Sequence, residues 1–429
     1  MRFLYNVLTY LLLIPFAFYC LIKGIGNRSY LDRLQQRFGF GYPRLDNCIW
    51  VHAVSVGEVQ AAVPLVNAII ERFPEQQLVI TTVTPTGTAR VAALFGGNVV
   101  HCYIPFEFPN AIRSFFSSIR PRAAMIMETE IWPNLYRGCG VREIPLILVS
   151  ARISPKSVPG YRRLLPLIRE TLSHGIIIAA QTQADADRFL ELGANPSRTR
   201  VTGNIKFDVE LDPQISDQGK SLRASLFGDR PVWIAASTHE GEELQVLIAH
   251  RTLLESHPTL LLVLVPRHPE RFGGVRDLVE KQAFRVVSRT SKQACEPQTE
   301  VFLVDTMGEV PLFYAASDVA FVGGSLVPVG GHNLLEPAAQ GLPIVTGPHL
   351  FNAQEIADEF VDLGACRVVA NADDLATAVG QLIEDPAEAG KMGNTGLTVL
   401  VQNRGSLERL LLLLEPLLAS DTNTLRDDS

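Results

Sequence analysis

Residues 322–348 read Val-Gly-Gly-Ser-Leu-Val-Pro-Val-Gly-Gly-His-Asn-Leu-Leu-Glu-Pro-Ala-Ala-Gln-Gly-Leu-Pro-Ile-Val-Thr-Gly-Pro. The apolar run before them predicts a buried strand, and the glycine pair Gly330-Gly331 precedes a short helix predicted over 333–340. A further apolar strand is predicted over 342–345. A glycine-rich turn between strand and helix is typical of parallel α/β sheets, and it lets a phosphate approach backbone N–H groups and the positive end of the helix dipole.

The same stretch has a second, purely structural interpretation. Asn333 followed three residues later by Glu336 matches a capping box, in which both side chains satisfy backbone N–H groups at the helix start. The loop by itself leaves nucleotide binding and helix capping open.

Composition limits the class of protein. The chain has 429 residues, of which 47% are hydrophobic and 19% charged, so we expect two or three domains with large cores. A net charge of -7 argues against a nucleic-acid partner. The six cysteines lie far apart without a Cys-x-x-Cys spacing, which predicts neither a metal site nor a disulfide framework and suggests a cytosolic environment.

The N-terminal segment is apolar. Residues 3–22 contain no charge and would span about 30 Å as a helix, the thickness of a bilayer core. Only Arg2 precedes the run, whereas four basic residues follow it, so the positive-inside rule places the rest of the chain in the cytoplasm. We expect an uncleaved membrane-anchor helix over 1–24 and a membrane-proximal connector over 25–46. A cleaved signal peptide and a helix lying in the membrane interface are the alternatives.

Apolar runs of strand length alternate with amphipathic stretches in two series. Such a pattern predicts an α/β protein with parallel sheets covered on both faces. The runs are 48–54, 78–83, 99–104, 123–127, 146–149, 176–180 and 200–202, then 232–236, 260–265, 286–288, 301–304, 319–322 and 344–345. We therefore predict two doubly wound Rossmann-like domains facing a cleft, at 47–209 and 231–419, with a linker at 210–230 and a flexible tail at 420–429.

Glu58 is the first candidate for chemistry. It follows the first predicted strand and Gly57, at or near a helix N-terminus where the dipole keeps a carboxylate ionised. An ionised carboxylate in a cleft can take a proton from an attacking hydroxyl. The alternative is that an acidic first turn only stabilises its helix.

Other polar residues also follow predicted strands, where the ligands of such sheets bind. In the first domain they include Glu128, Glu130, Arg152 and Lys206, and in the second Ser237, His239, Arg267 and Glu309. Structural roles compete here too. Glu130 and Arg152 would make an ion pair, and His239, His268 and His332 would form hydrogen bonds.

Asp185-Ala186-Asp187 superficially matches the Asp-x-Asp that holds a metal in some sugar transferases. It lies where a helix should begin, so acids favoured by the helix dipole are the preferred explanation. We see no Gly-x-Gly-x-x-Gly after the first strand, Walker lysine loop, His-Glu-x-x-His or Gly-x-Ser-x-Gly, which argues against dehydrogenases, kinases, metalloproteases and serine hydrolases.

Several motifs together resemble the 3-deoxy-D-manno-octulosonic acid (Kdo) transferases of lipopolysaccharide synthesis, over nearly the whole chain. They are Trp-Val-His-Ala-Val-Ser-Val-Gly-Glu at 50–58, Met-Glu-Thr-Glu-Ile-Trp-Pro-Asn at 127–134, Gly-Asn-Ile-Lys-Phe-Asp at 203–208 and Val-Pro-Arg-His-Pro-Glu-Arg-Phe at 265–272.

The resemblance implies a metal-independent, inverting glycosyltransferase of GT-B type that needs no cofactor. It would move Kdo from CMP-Kdo to a hydroxyl of the lipid A precursor at the cytoplasmic face of the inner membrane. Matched by position, Glu58 would be the general base, and Glu128 and Lys206 would stabilise the transition state. CMP would be bound by Pro266, Arg267, Met307, Gly308, Glu309, Asn333, Leu334, Leu335 and Glu336. Further candidates are Gly57, Glu130, Arg152, Ser237, His239, Gly330, Gly331 and His332.

Two alternatives remain open at this level. Another membrane-associated GT-B enzyme that uses a UDP-sugar would share the architecture, and a non-catalytic membrane-anchored scaffold would share the nucleotide loop. Binding of UDP-sugars and not of CMP would distinguish the first alternative from a Kdo transferase. A Kdo transfer assay would distinguish the second, because a scaffold transfers nothing.

Overall fold

The computed structural model describes residues 1–26, 28–209 and 212–418. The chain divides into two compact units, one formed by Met1–Asp208 with Gly405–Ser429 and the other by Val209–Arg404. The first two residues of the expected linker, and the whole expected tail at 420–429, lie outside the described residues.

The first unit contains a seven-stranded parallel sheet in the order β3-β2-β1-β4-β5-β6-β7. Successive residues of β1 enter different cores, Trp50 on one face of the sheet and Val51 on the other, as a strand covered on both faces requires. The strands are β1 (Leu45–His52), β2 (Leu78–Thr82), β3 (Val100–Tyr103), β4 (Ile119–Met127), β5 (Leu146–Ala151), β6 (Ile177–Ala180) and β7 (Thr199–Val201).

Helices precede and connect these strands. They are α1 (Arg2–Leu11), α2 (Leu13–Gly26), α3 (Leu34–Arg37), α4 (Val56–Ala61), α5 (Val63–Arg72), α6 (Pro85–Phe95), α7 (Pro109–Ser118), α8 (Pro133–Gly140), α9 (Val158–Arg163), α10 (Leu165–Leu172) and α11 (Gln183–Glu191).

The second unit repeats this plan with a seven-stranded parallel sheet in the order β10-β11-β9-β8-β12-β13-β14. Its strands are β8 (Val232–Thr238), β9 (Leu261–Pro266), β10 (Val286–Ser288), β11 (Val301–Leu303), β12 (Val319–Val322), β13 (Ile344–Thr346) and β14 (Cys366–Val368). Its helices are α12 (Pro213–Leu226), α13 (Glu242–Ser256), α14 (Phe272–Lys281), α15 (Val310–Ala315), α16 (Leu335–Ala339), α17 (Gln354–Leu363), α18 (Ala372–Glu384) and α19 (Pro386–Asn403). Two doubly wound units are thus confirmed.

The first strand of each unit lies inside its sheet. β1 pairs with β2 on one side and β4 on the other, and β8 pairs with β9 and β12. The chain therefore winds away from β1 and from β8 in opposite directions, which opens a crevice at the carboxyl ends of β1 and β4 and of β8 and β12. These two switch points are where ligands of doubly wound sheets bind.

The unit boundaries differ from the sequence expectation at two places. The C-terminal helix, α20 (Ser406–Leu418), falls within the second domain predicted at 231–419, but it belongs to the first unit. It buries Leu410, Leu411 and Leu414 in a first-unit core, and Arg72 donates to its Glu408 and Glu415. The expected linker also contains a 14-residue helix, α12, whose Leu222 is buried. β14 has no counterpart among the predicted strands, because three residues give little periodicity.

The N-terminal apolar segment is helical, with one helix of Arg2–Ile25 that is long and apolar enough to cross a membrane by length and composition. Leu12 separates α1 from α2 within it. Large apolar side chains such as Phe3, Leu11 and Ile25 are exposed.

Candidate active site

Glu58 lies beyond the carboxyl end of β1, in the first turn of α4, and is 8% exposed. Its Oε2 accepts from the backbone N–H of Val54 at 2.7 Å, and Ser55, the N-cap of α4, accepts from the Glu58 N–H at 3.4 Å. This arrangement resembles a capping box, except that the carboxylate accepts from the residue before the N-cap, and bonds from N–H groups favour an ionised carboxyl group. The structural role therefore coexists with a place at the first switch point.

Glu128 follows the last residue of β4, on the other side of the same crevice. Its backbone is left-handed, with φ of 56°, a conformation that costs a non-glycine residue about 1–3 kcal/mol and is concentrated at functional sites. The carboxylate accepts from Lys206 Nζ at 2.5 Å and Arg152 Nε at 3.1 Å. Lys206 lies in a 3₁₀ turn after β7, so three strand ends converge on one buried anion.

Glu130 takes a different partner from the one considered from the sequence. It accepts from Trp132 Nε1 at 2.6 Å, while Arg152 pairs with Glu128, so the expected Glu130–Arg152 ion pair is wrong. Burial raises the pKa of Glu130, and the nearby charge of Glu128 raises it further. The Trp132 ring packs edge-on against buried His52 of β1, whose pKa burial lowers to about 4.

A fully buried carboxylate shapes the glycine-rich loop of the second unit. Glu242 accepts backbone N–H groups from Gly324 at 2.7 Å, Ser325 at 3.0 Å and Leu326 at 2.9 Å, and it also receives the His239 N–H at 3.2 Å. It sits in the first turn of α13, after β8, and fixes the loop that follows β12. Ser237, the second-last residue of β8, has a left-handed φ of 59°. Glu242 is not among the residues singled out from the sequence, because its partners after β12 are distant in sequence.

Three histidines meet beside this loop. His239 and His332 stack with their Nε2 atoms 2.8 Å apart, and His268 packs edge-on against His239. Burial lowers the pKa of His332 to about 4, with the charges of its histidine neighbours and Arg267 adding to the effect. The hydrogen-bonding role expected from the sequence is confirmed for His239 and His332, whereas His268 contacts His239 through its ring.

The second glycine pair serves the packing of its own chain. Gly330 has φ of 112°, and a Cβ there would lie 2.3 Å from Asn352 Nδ2. Gly331 is also left-handed, with φ of 75°, and its N–H donates to Gly324 O, as that of Gly330 does. The space that the sequence suggested for a ligand at Gly330 is thus occupied by the segment after β13.

The helix after this pair is shorter than expected. α16 has five residues and begins at Leu335, with Leu334 rather than Asn333 as its N-cap. Asn333 Oδ1 accepts from the Leu335 N–H at 3.0 Å, and its Nδ2 donates to Glu336 Oε1 at 3.2 Å. The expected capping box is therefore wrong, because the helix begins later than predicted and Asn333 is not its N-cap. Burial raises the pKa of Glu336, against the bond from Asn333 and the charge of Arg267.

The remaining nucleotide-binding candidates follow β9 and β11. Pro266 ends β9, and exposed Arg267 comes next, with its N–H bonded to Thr238 O. Met307 is 55% exposed, Gly308 is left-handed, and Glu309 is at the N-cap position of α15 without a side-chain capping bond. Arg289, which the sequence did not single out, donates to both oxygens of Glu309 and holds its pKa below the usual range.

The Asp185 pattern has the structural role preferred from the sequence. Asp185 accepts from Thr182 Oγ1 at 2.6 Å and the Ile153 N–H at 3.1 Å, and it pairs with Arg188. Within residues 1–26, 28–209 and 212–418, no group of three His, Cys, Asp or Glu side chains is arranged to hold a metal ion.

Comparisons with known proteins cover both units. Residues 32–209 match the family model described as 3-deoxy-D-manno-octulosonic-acid transferase (kdotransferase), and 229–398 match glycosyl transferases group 1. A 3-deoxy-D-manno-octulosonic acid transferase of Haemophilus influenzae is 42% identical over 97% of this chain and 99% of its own. One from Bordetella pertussis is 37% identical over 86% of each. The solved C-terminal CMP-Kdo binding domain of WaaA from Acinetobacter baumannii is 37% identical over 44% of this chain and 99% of its own, with a TM-score of 0.43.

Proposed function

The chain belongs to the Kdo transferase family and is a glycosyltransferase of the GT-B type, and from this premise we propose that it moves Kdo from CMP-Kdo to a hydroxyl of the lipid A precursor, lipid IVA, with inversion at the anomeric carbon. The observation that carries the proposal is the likeness to a Kdo transferase along 97% of the chain. The residues at the two switch points supply the chemistry.

Glu58 is the proposed general base. Inverting transfer breaks the bond between Kdo and the CMP phosphate while the acceptor oxygen attacks the anomeric carbon from the opposite face, and the acceptor proton passes to a carboxylate. The N–H bond from Val54 supports an ionised Glu58 before the reaction. Its place at the end of β1 is where a ligand of this sheet would bind.

Glu128, Lys206 and Arg152 form the proposed charged support for the transition state. The oxocarbenium-like carbon gains positive charge as the phosphate leaves, and preorganised charges in a dry site stabilise such changes without reorganisation. Glu128 and Lys206 are 8% and 7% exposed in their side chains, so their charges are weakly screened. Arg152, 47% exposed, completes the cluster at its solvent side.

The second unit is the proposed donor site, without a metal. CMP would be bound by residues at or after the carboxyl ends of β9, β11 and β12, which are Pro266, Arg267, Met307, Gly308, Glu309, Asn333, Leu334, Leu335 and Glu336. Exposed Arg267 provides a charged donor for phosphate. Because α16 has only five residues, the phosphate would be bound by local N–H groups more than by a helix dipole. The glycine-rich loop is held in place by Glu242.

The proposal places the enzyme at the cytoplasmic face of the inner membrane. Its support is the apolar N-terminal segment, with exposed Phe3, Leu11 and Ile25, and the basic residues Lys23 and Arg28 just after it. An acceptor that stays in the bilayer is met more often by an enzyme held at that surface.

The test is a transfer assay with labelled CMP-Kdo and lipid IVA, using wild type and Glu58→Gln. Wild type should form a product heavier by Kdo, and the variant should lose transfer by at least about a hundredfold. CMP should stabilise both proteins equally against heat, because Glu58 belongs to the other unit.

Three results would overturn parts of the proposal. Undiminished transfer by Glu58→Gln would remove Glu58 as the base. Thermal protection by UDP-sugars and not by CMP would indicate a different donor. Nucleotide binding without transfer by wild type would indicate a scaffold.

A further inference from the structure

The first helix presents two chemically different faces. Arg2, Tyr5 and Asn6, at helical spacing on one side, bond to the folded part of the first unit, while Phe3 and Leu4 are 82% and 67% exposed. An apolar anchor requires only the exposed face. Anchoring alone therefore does not account for the hydrogen-bonded face.

The bonded face contacts the start of α8. Arg2 Nη2 donates to Pro133 O at 2.9 Å, and Asn134 Nδ2 donates to Asn6 Oδ1 at 3.0 Å. Tyr5 Oη donates at 2.5 Å to Glu107 Oε2. Arg2 also pairs with Glu170 of α10.

Glu107 is a remote cap for α8. That helix has no side-chain cap of its own, and Glu107 accepts from the N–H groups of Asn134 at 3.1 Å and Leu135 at 2.7 Å. These are orphan donors of the first turn, so a carboxyl group here fixes where α8 begins. Tyr5 shares Oε2 of the same carboxyl group and so joins α1 to the cap.

The segment fixed in this way leads to the proposed catalytic cluster. α8 starts directly after Trp132, which donates to Glu130 and packs on His52 at the end of β1. Glu128 stands at the other end of the same short segment, in its left-handed conformation. An unbroken run of contacts thus joins Tyr5 to the crevice between β1 and β4.

We propose that the polar face of α1, Arg2, Tyr5 and Asn6, is a positioning element for the acceptor half of the enzyme, holding residues 128–135 through Glu107 and Asn134. The expected effect on Kdo transfer rests on the proposed function, whereas the expected effect on residues 128–135 does not. The N-terminal helix would then act on the site as well as anchor the chain. Tyr5, Asn6 and Glu107 are positioning residues, since none of them needs to touch a substrate.

The test compares Tyr5→Phe with Tyr10→Phe in the full-length protein. Both remove one hydroxyl from α1, but Tyr10 is 42% exposed and only its ring packs, against Phe108. Hydrogen exchange of residues 128–135 should become about tenfold faster in Tyr5→Phe and stay unchanged in Tyr10→Phe. Equal exchange in the two variants would overturn the proposal.

Kinetics in detergent micelles containing lipid IVA add the second readout. Tyr5→Phe should lower kcat/KM for the acceptor about three- to tenfold, with the KM for CMP-Kdo unchanged, and sedimentation with lipid vesicles should match Tyr10→Phe. If kcat/KM falls only in proportion to weaker vesicle binding, α1 acts as an anchor alone and the proposal is overturned. Unchanged kcat/KM together with faster exchange would overturn the effect on transfer.

A double-mutant cycle identifies the route. If Tyr5 acts through Glu107, adding Tyr5→Phe to Glu107→Gln should cause little further change in exchange. Additive effects would mean that Tyr5 acts elsewhere. If wild type transfers no Kdo, the proposed function fails, whereas the exchange comparison still decides whether α1 holds the segment.

Discussion

Replacing Lys206 with Met should destabilise the first unit through Glu128. The substitution keeps the length of the side chain but removes the Nζ that lies 2.5 Å from Glu128 Oε1. Removing one partner of a buried ion pair costs about 3–5 kcal/mol, because the other charge stays in a poor solvent. Arg152 remains beside Glu128, so the lower end of that range, about 3 kcal/mol, applies here. For a unit of this size the melting temperature should fall by about 6–12 °C.

Tryptophan fluorescence can isolate that transition. Trp50 and Trp132 lie in the first unit and Trp233 in the second, so a common Trp233→Phe background leaves only first-unit emission. Thermal unfolding is then followed for the background, Lys206→Met and Arg152→Met. Arg152→Met should cost at most about 1 kcal/mol, because its side chain is 47% exposed.

A companion variant separates charge from packing. Adding Glu128→Gln to Lys206→Met should restore most of the lost stability, since the buried side chain at position 128 is then neutral and exposed Arg152 can be solvated by water. A melting temperature for Lys206→Met within about 1 °C of its parent would refute the buried pair. So would a double variant less stable than Lys206→Met.

Three further outcomes are expected. Glu242→Gln should lower the free energy of unfolding of the second unit, measured in urea, by about 3 kcal/mol. The reason is that an amide N–H₂ would face the backbone N–H groups that donate to the carboxylate in wild type. An unchanged midpoint of unfolding would contradict this. Burial raises the pKa of Glu107 from 4.5 to about 7, so between these pH values the folded protein holds a proton that the unfolded chain releases. The free energy of unfolding of wild type should therefore fall as pH rises from 4.5 to about 7, by up to about 3 kcal/mol relative to Glu107→Gln. Parallel pH profiles of unfolding for the two proteins would argue against this. Asp185→Ala should cost about 1–2 kcal/mol, because its carboxylate loses the bonds from Thr182 Oγ1 and the Ile153 N–H, and should leave transfer unchanged with or without EDTA. An EDTA-sensitive wild type and an inactive variant would restore the metal hypothesis.

The strands were predictable because burial on both faces of a parallel sheet selects continuous apolar runs. The run before Gly323 became β12 as expected, and the run at 232–236 became the core of β8. The placement of α20 was not predictable in the same way. Its leucines fit any apolar groove, and only the folded chain shows that Asp208 accepts from the Gly405 and Leu407 N–H groups to start it on the first unit.

Site geometry was predictable where it depends on strand ends and not where it depends on long-range partners. Glu58 and Glu128 lie at the switch point because the chain order of β1 and β4 puts them there. Ser55 and Glu58 also have the spacing of a capping box, and there the Ser55 hydroxyl caps the helix while Glu58 accepts from the N–H of the preceding residue, Val54. Glu107 has no local pattern that reveals its partners Tyr5 and Leu135, since both are distant in sequence.

The central claim is that this chain transfers Kdo with Glu58 as the base. The most direct measurement is mass analysis of lipid IVA after incubation with CMP-Kdo and purified full-length protein, wild type beside Glu58→Gln, with CMP binding measured on both. We predict a Kdo-bearing lipid with wild type, at least about a hundredfold less with Glu58→Gln, and equal CMP binding. Kdo-bearing lipid at equal rates from both proteins would contradict the assignment of Glu58, and unmodified lipid IVA with wild type that binds CMP would contradict the proposed reaction itself.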